Sequence, residues 1–244
     1  MWNQSRSSRR TQETHFDSDE ARVHRLRERL APVRGDPFYA HLADLRDALS
    51  EALAGASGLW LDYGADVSPY RELLGGCELR SADLPRAGRQ ADYLIDESGQ
   101  LKDVTPGTFD GVLSTQVLEH VPDATSYLRE AHRVLRPGGT LVLSTHGIWE
   151  DHPGPLDLRR WTIQGLEREV AAQGFAVRSC HGLTCRRRAA IFILEQQCLG
   201  SPRLAGLRAL LDRASDALLA GERRARAPDA RLYLGILLAA ERLQ

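Results

Sequence analysis

Apolar residues fall into short runs between polar turns through the middle of the chain, and at helical spacing on either side of it. The first run, Leu59-Trp60-Leu61-Asp62-Tyr63, has strand length and empties into the turn Gly64-Ala65-Asp66-Val67-Ser68-Pro69, after which a helix over about 69–75 is expected. Similar runs predict strands at 78–82, 92–95, 110–114 and 140–145. Before the last of these, Tyr127, Leu128, Ala131, Val134 and Leu135 form the buried stripe of a helix that Asp123 starts and Pro137-Gly138-Gly139 ends. Thr162 can cap a helix over 163–173, closed by Gly174, and Phe175 to Cys180 reads as a sixth strand. Strands alternating with helices imply an α/β domain with a parallel sheet and right-handed crossovers.

Toward the ends the pattern changes. Residues 1–16 are rich in Ser, Arg, Gln and Thr without periodicity, and disorder is expected there. Residues 17–56 read as N-terminal helices: a charged one from Asp19 to Leu30, and one over 37–54 carrying Phe38, Leu42, Leu45, Leu49 and Leu53, with Asp36 as its cap and Pro37 at its first position. The remainder, 57–244, reads as the main domain, with a helical insertion at 186–228. Within the insertion Leu204, Leu207, Leu210, Leu211, Ala214 and Leu218 form a stripe suited to a lid or a homodimer contact, and Arg223, Arg224 and Arg226 a solvated turn. The final run, 232–240, is ambiguous, since its alanines and leucines favour helix.

The strand ending at Asp62, the turn at Gly64 and a second acid, Asp83, nineteen residues beyond Gly64 resemble the first two motifs of the class I S-adenosylmethionine-dependent methyltransferases, in particular the methyltransferase type 11 kind. Phe109 to Val121 resembles that family's fourth strand and following loop, and Tyr127 to Leu141 its next helix, turn and fifth strand. The likeness runs from about residue 58 to 182, roughly half the chain. It implies a Rossmann-like α/β fold: a seven-stranded, mostly parallel sheet with an antiparallel last strand and helices on both faces, so the ambiguous final run becomes a strand. It also implies S-adenosyl-L-methionine as cofactor, held by Asp62, Gly64, Ala65, Asp66, Tyr70, Asp83, Asp96, Ser114, Thr115 and Gln116. An acid at the end of the second strand suits ribose hydroxyls, which is the role of Asp83. Asp96, with Glu97 beside it, accepts from the adenine amino group or serves as a turn carboxylate before Gly99. The family's turn reads Gly-x-Gly, whereas this one reads Gly64-Ala65-Asp66. The carboxylate at 66 can meet the cofactor's ammonium group or crowd the site.

Composition narrows the partners. A chain of 244 residues with 42% hydrophobic and 27% charged residues can bury one good core with an appendage. A net charge of −1 supplies no field toward nucleic acid or membrane, and the arginine turn lacks the interleaved aromatics of a nucleic-acid patch. There is no run of about 18 apolar residues and no secretory h-region, and the four cysteines form no C-x-x-C pair, so a cytoplasmic setting without a membrane span is expected. The expected partner is a small-molecule acceptor.

If that acceptor is a hydroxyl, a general base assists its displacement of the methyl group. His146 is the first candidate for catalysis and His152 the second, both in the loop after the fifth strand with Glu150 and Asp151 between them; His120 is a rival. Trp149 and Trp161 can stack an acceptor ring or pack in the core. The spacing 146, 150, 151, 152 is not a standard zinc pattern, so no metal is expected. The text from Ser144 to Thr162 is similar to a methyltransferase branch associated with cell-surface polysaccharide and secondary pathways. The expected function is therefore methyl transfer to a small-molecule acceptor, a sugar or secondary-metabolite hydroxyl or amine. The alternative is a catalytically inactive binding or regulatory subunit, for which Asp66 is the motive. A nicotinamide dehydrogenase needs a full G-x-G-x-x-G turn, which is absent here.

Overall fold

The structure, a computed structural model, describes residues 19–36, 38–85, 90–96, 98–152, 156–199, 201–222 and 231–244. The expectations for the tail 1–16, Pro37, Glu97 and the arginine turn lie outside the described residues.

The strands are β1 (Gly58–Tyr63), β2 (Cys77–Asp83), β3 (Tyr93–Leu94), β4 (Phe109–Thr115), β5 (Leu135–His146), β6 (Phe175–Cys185) and β7 (Tyr233–Arg242), and they form one seven-stranded sheet in the order β3-β2-β1-β4-β5-β7-β6. Pairing from β3 to β5 is parallel, and β7 runs antiparallel between β5 and β6. The helices are α1 (Asp19–Leu30), α2 (Tyr39–Ala52), α3 (Ala124–Val134), α4 (Ile163–Ala172), α5 (Arg186–Cys198) and α6 (Ala205–Glu222). No helix among the described residues is long and apolar enough to cross a membrane.

Alternation along the strands sorts side chains to the two faces. Leu61, Tyr63, Val112, Leu141 and Leu143 pack with Leu128, Ala131 and Val134 of α3 and with Leu166 and Val170 of α4. Trp60, Leu113, Val142 and Leu237 pack on the other face with Leu45 and Leu49 of α2 and Leu53 just past its end. The final run is a strand because its two flanks find partners: Leu143 pairs with Leu238 on β5 and Cys180 with Leu238 on β6. Tertiary pairing here overrides a helical propensity of a few tenths of a kcal/mol per residue, on the order of what such preferences are worth.

Three local expectations are corrected. The helix over 69–75 is only a 3₁₀ turn, Arg71–Leu74, because Pro69 and Gly75-Gly76 leave too few residues to propagate a helix. Among the described residues, no α-helix therefore follows the turn at Gly64 before β2. The second N-terminal helix begins at Tyr39 with Phe38 at the cap position, which makes no side-chain cap bond; Asp36 lies two residues before the cap and is not the capping residue. Finally, Pro137-Gly138-Gly139 does not end a helix but lies within β5, which starts at Leu135 and pairs there with Phe109. Pro137 disfavours a helical Arg136, so the chain is already extended before the glycines.

Candidate functional site

The carboxyl tips of β1 and β2 are laced together by backbone. Gly64 and Ala65 donate their N–H groups to Ala82 O at 2.9 and 3.0 Å. Asp66 N–H donates to Asp83 Oδ2 at 3.0 Å, and Leu84 N–H donates to Asp83 Oδ1 at 2.8 Å. The Asp83 carboxylate thus holds the turn through Asp66 on one oxygen and its own following residue on the other. Three turn residues have left-handed backbone: Gly64 at φ 84°, Asp66 at 45° and Ser68 at 50°. Asp tolerates this region better than branched residues do. A side chain at 64 would also meet the Val117 methyls at 2.6 Å, so the turn approaches the β4 loop closely. The Asp66 side chain turns to α1, where Arg25 Nε lies 3.1 Å and Arg29 Nη1 3.8 Å from its Oδ2.

Asp62, at the tip of β1, is 3% exposed. Burial pushes its carboxyl up to about 7, against the Ser68 hydroxyl and Arg71, with Asp83 adding to the rise. Because the folded pKa lies above the unfolded one, the native state holds the extra proton between about pH 4 and pH 7, and stability falls as pH rises through that window. Asp62→Asn is expected to raise the melting temperature relative to the parent chain at pH 8, with a gain that shrinks to nothing by about pH 4; the ceiling is about 4 kcal/mol. Thermal melts of both proteins across that range check it, and a gain independent of pH would contradict it.

The other residues expected at this site are placed unevenly. Tyr70 is buried among the residues facing α2; its hydroxyl has no hydrogen-bond partner among the described residues, and burial pushes it up to about 12. Ser114 is fully buried, with its hydroxyl 2.8 Å from that of Tyr127, which in turn donates to Tyr63 O at 2.9 Å. Its hydroxyl thus ties β4 to α3. Thr115 lies half-buried at the strand tip. Gln116 donates from its backbone to Ser144 O at 2.9 Å and from its side chain to Ser144 Oγ at 3.2 Å. The Asp96 carboxylate accepts from Ser98 and Gln100 N–H, both at 2.9 Å, and pairs with Lys102 at 2.8 Å, which holds it well below the usual carboxylate range. Its turn role is thus built.

Two strands further along the same edge, β4 and β5 end side by side, since Thr115 pairs with Ser144. This brings Glu119 and His120, just past β4, against Thr145 and His146 at the end of β5. Glu119 is fully buried; its Oε2 accepts from Thr145 Oγ1 at 2.9 Å, and its Oε1 lies 3.2 Å from His146 Nε2 and 4.0 Å from His120 Nε2. Burial pushes the Glu119 carboxyl up to about 7 and the His146 imidazole well below its ordinary value. His152 joins them from the loop, its ring centroid 5.0 Å from those of both His120 and His146.

The aromatic side chains nearby are already stacked. Trp149 lies 4.5 Å from His146 at an interplanar angle of 16°, and 5.2 Å from Phe192. His41 of α2 also reaches Trp149, at 4.6 Å. Trp161 packs against the main core. Sequence reading brought forward His146, His152 and His120 but missed Glu119 as their common neighbour, along with His41 and Asp157. The signal was there for Glu119: a carboxylate beside a histidine directly after a strand, with the next strand in the sheet also ending in a histidine.

Comparison with known proteins agrees with the fold. Residues 63–143 match the family described as Methyltransferase domain. The ubiquinone biosynthesis O-methyltransferase of Pseudomonas paraeruginosa (strain DSM 24068 / PA7) is 38% identical over 99 residues, which cover 40% of this chain and 39% of that protein. The protein of the same description in Xanthomonas campestris pv. campestris (strain B100) is 45% identical over 56 residues, 23% of each chain. The chain thus spans well under half the length of these curated relatives. Among solved structures, the [4+2]-cyclase SpnF superposes with a TM-score of 0.57 at 14% identity over 95% of both chains. Phosphoethanolamine N-methyltransferase 2 of Haemonchus contortus, in complex with S-adenosyl-L-methionine, gives 0.55 at 15% identity over 99% of this chain and 61% of that one. These likenesses show the fold.

Proposed function

We propose that this chain, which carries a class I S-adenosylmethionine-dependent methyltransferase domain, binds S-adenosyl-L-methionine across the tips of β1 and β2 and transfers its methyl group to a hydroxyl of a small-molecule acceptor held beside His146. The observation that carries this reading is the pair of acids, Asp62 and Asp83, at adjoining strand tips around a turn in left-handed backbone. The residues fit such a cofactor. A carboxylate that is 3% exposed is costly, and a cationic group at the strand tip would stabilise its charged form. Ionised, Asp83 accepts up to about four hydrogen bonds, so two backbone N–H groups and ribose hydroxyls can share it. Arg25 and Arg29 fasten α1 over the turn through Asp66, forming a wall for the amino-acid end. Thr115 and Gln116 floor the passage toward the acceptor, and the Asp96 turn lies on the adenine side.

The cofactor supplies an activated methyl on a sulfonium, and the remaining work is alignment. Strands spaced about 4.8 Å apart put the β5 tip roughly 10 Å from that of β1, room for a nucleophile in line with the methyl group. His146 Nε2 lies 3.2 Å from Glu119 Oε1; the Glu119 carboxylate, steadied by Thr145, positions the ring on that side, and the other ring nitrogen, Nδ1, which has no hydrogen-bond partner among the described residues, takes the acceptor's hydroxyl proton. The O-methyltransferase description of the relatives above supports an oxygen acceptor.

Calorimetry with S-adenosylhomocysteine tests the reading, followed by turnover with labelled cofactor on phenol, sugar and amine acceptors. Micromolar binding and turnover on a hydroxyl are expected. No binding at millimolar ligand would overturn it, and binding without turnover on any acceptor class would favour the inactive binding subunit.

A further inference from the structure

We infer that Glu119, His120 and His152 bind one divalent transition-metal ion of the zinc class beside the proposed acceptor position. One donor atom from each of the three lies within 4.8 Å of the others. Donors about 2.0–2.3 Å from a tetrahedral ion sit roughly 3.5 Å apart, so small side-chain rotations close the set.

Two features mark this as a built site and not a chance meeting of polar groups. The first is the carboxylate. Glu119 is wholly buried, and while Thr145 satisfies Oε2, Oε1 has no hydrogen-bond partner among the described residues and lies 3.2 Å from His146 Nε2 and 4.0 Å from His120 Nε2. A buried acceptor left without a donor is expensive, and a cation at that point relieves it. The second is the way the rings are held. His120 Nδ1 donates to the carbonyl of Leu156. His152 Nδ1 lies 3.3 Å from Asp157 Oδ2 and 3.3 Å from Glu150 O, and Asp157 is itself anchored by Arg160 at 2.5 Å. Ligating histidines are commonly oriented in this way, one ring nitrogen on a carboxylate or backbone carbonyl and the other on the metal. Two imidazoles and one carboxylate suit zinc or a neighbouring first-row ion, whereas magnesium and calcium take oxygen ligands.

Three protein ligands leave a coordination position open, the arrangement that catalytic metals use. His146 borders that position, its Nε2 3.2 Å from Glu119 Oε1. Resting on the proposed methyl transfer, the open position takes the acceptor's oxygen and narrows the acceptor to hydroxyl compounds. The spacing rule weighed only the loop 146–152, whereas the proposed ligands come from two separate loops: Glu119 and His120 follow β4, and His152 follows β5.

The test uses the full chain stripped with a chelator, titrated calorimetrically with zinc chloride alone and, in parallel, with cobalt(II) followed by its visible d–d bands. One ion per chain, with intense tetrahedral cobalt bands, is expected. His152→Ala, at a side chain 37% exposed, should weaken zinc binding at least about tenfold and abolish those bands, while His24→Ala on α1, 70% exposed, should change neither. Glu119→Gln should weaken binding further; because its burial endangers folding, His152→Ala is the deciding variant. No stoichiometric zinc binding, or equal binding by the parent and His152→Ala, overturns the site. S-adenosylhomocysteine binding by the same preparations separates the two readings: zinc bound with no cofactor analogue bound sinks the methyl-transfer proposal alone, and the reverse sinks the metal.

Discussion

Asp83→Asn is expected to weaken S-adenosylhomocysteine binding by about 10- to 100-fold, the range set by losing one or two charge-assisted hydrogen bonds worth about 1.5–3 kcal/mol. The carboxylate accepts Asp66 N–H on one oxygen and Leu84 N–H on the other. An asparagine keeps one acceptor and turns an NH₂ group toward the other donor, so either the turn's Asp66 N–H or the adjoining Leu84 N–H loses its partner. The loss should therefore fall on the cofactor pocket first. Far-UV circular dichroism should be unchanged, and the melting temperature should drop only slightly, because the site lies at the sheet's edge. Calorimetric titration of parent and variant measures the ratio. Unchanged affinity would place the sugar elsewhere and remove the main support for the cofactor's position.

Gly111→Ala should produce the largest loss of stability, about 3 kcal/mol or more, at the upper end for overpacking a core. A Cβ there would lie 2.3 to 2.5 Å from three ring atoms of Trp60. The indole has nowhere to go: it is 4% exposed, packs between β4 and α2, and its Nε1 donates to Ser57 O at 3.1 Å. For a domain of this size such a loss lowers the melting temperature by roughly 6–12 °C. Thermal and urea denaturation read it directly. Adding Trp60→Leu to Gly111→Ala should return part of the loss relative to Trp60→Leu alone, as expected for residues that share one contact. Additive effects would mean that the cost comes from backbone conformation and not from the ring.

Much of the fold was legible because its signals are local. Alternation in the five central strands, the Asp123 and Thr162 caps and the polar punctuation between elements each depend on a few neighbouring residues. The Asp123 side chain accepts from Ser126 N–H and the Thr162 side chain from Gly165 N–H, as their positions imply. α1 keeps its expected bounds, and the helical insertion divides into α5 and α6. The misread places are those where two local signals compete. Around Pro137 a glycine pair that commonly stops a helix lies inside a strand, and from Gly64 on three left-handed residues, Gly64, Asp66 and Ser68, consume the space a helix would need.

The site divides along the same line. The order of residues alone determined the alternation of strands and helices, the acid at the end of each of the first two strands, and a histidine-bearing loop after the fifth, because each is written in contiguous text. Only the folded chain decided that the last strand enters between β5 and β6, that Asp66 reaches back to Arg25 and Arg29 on α1, and that Glu119 stands among His120, His146 and His152. Parallel pairing of β4 with β5 puts two loops, far apart in the chain, over one strand edge, and a contact made by register between strands leaves no periodicity for the sequence to display.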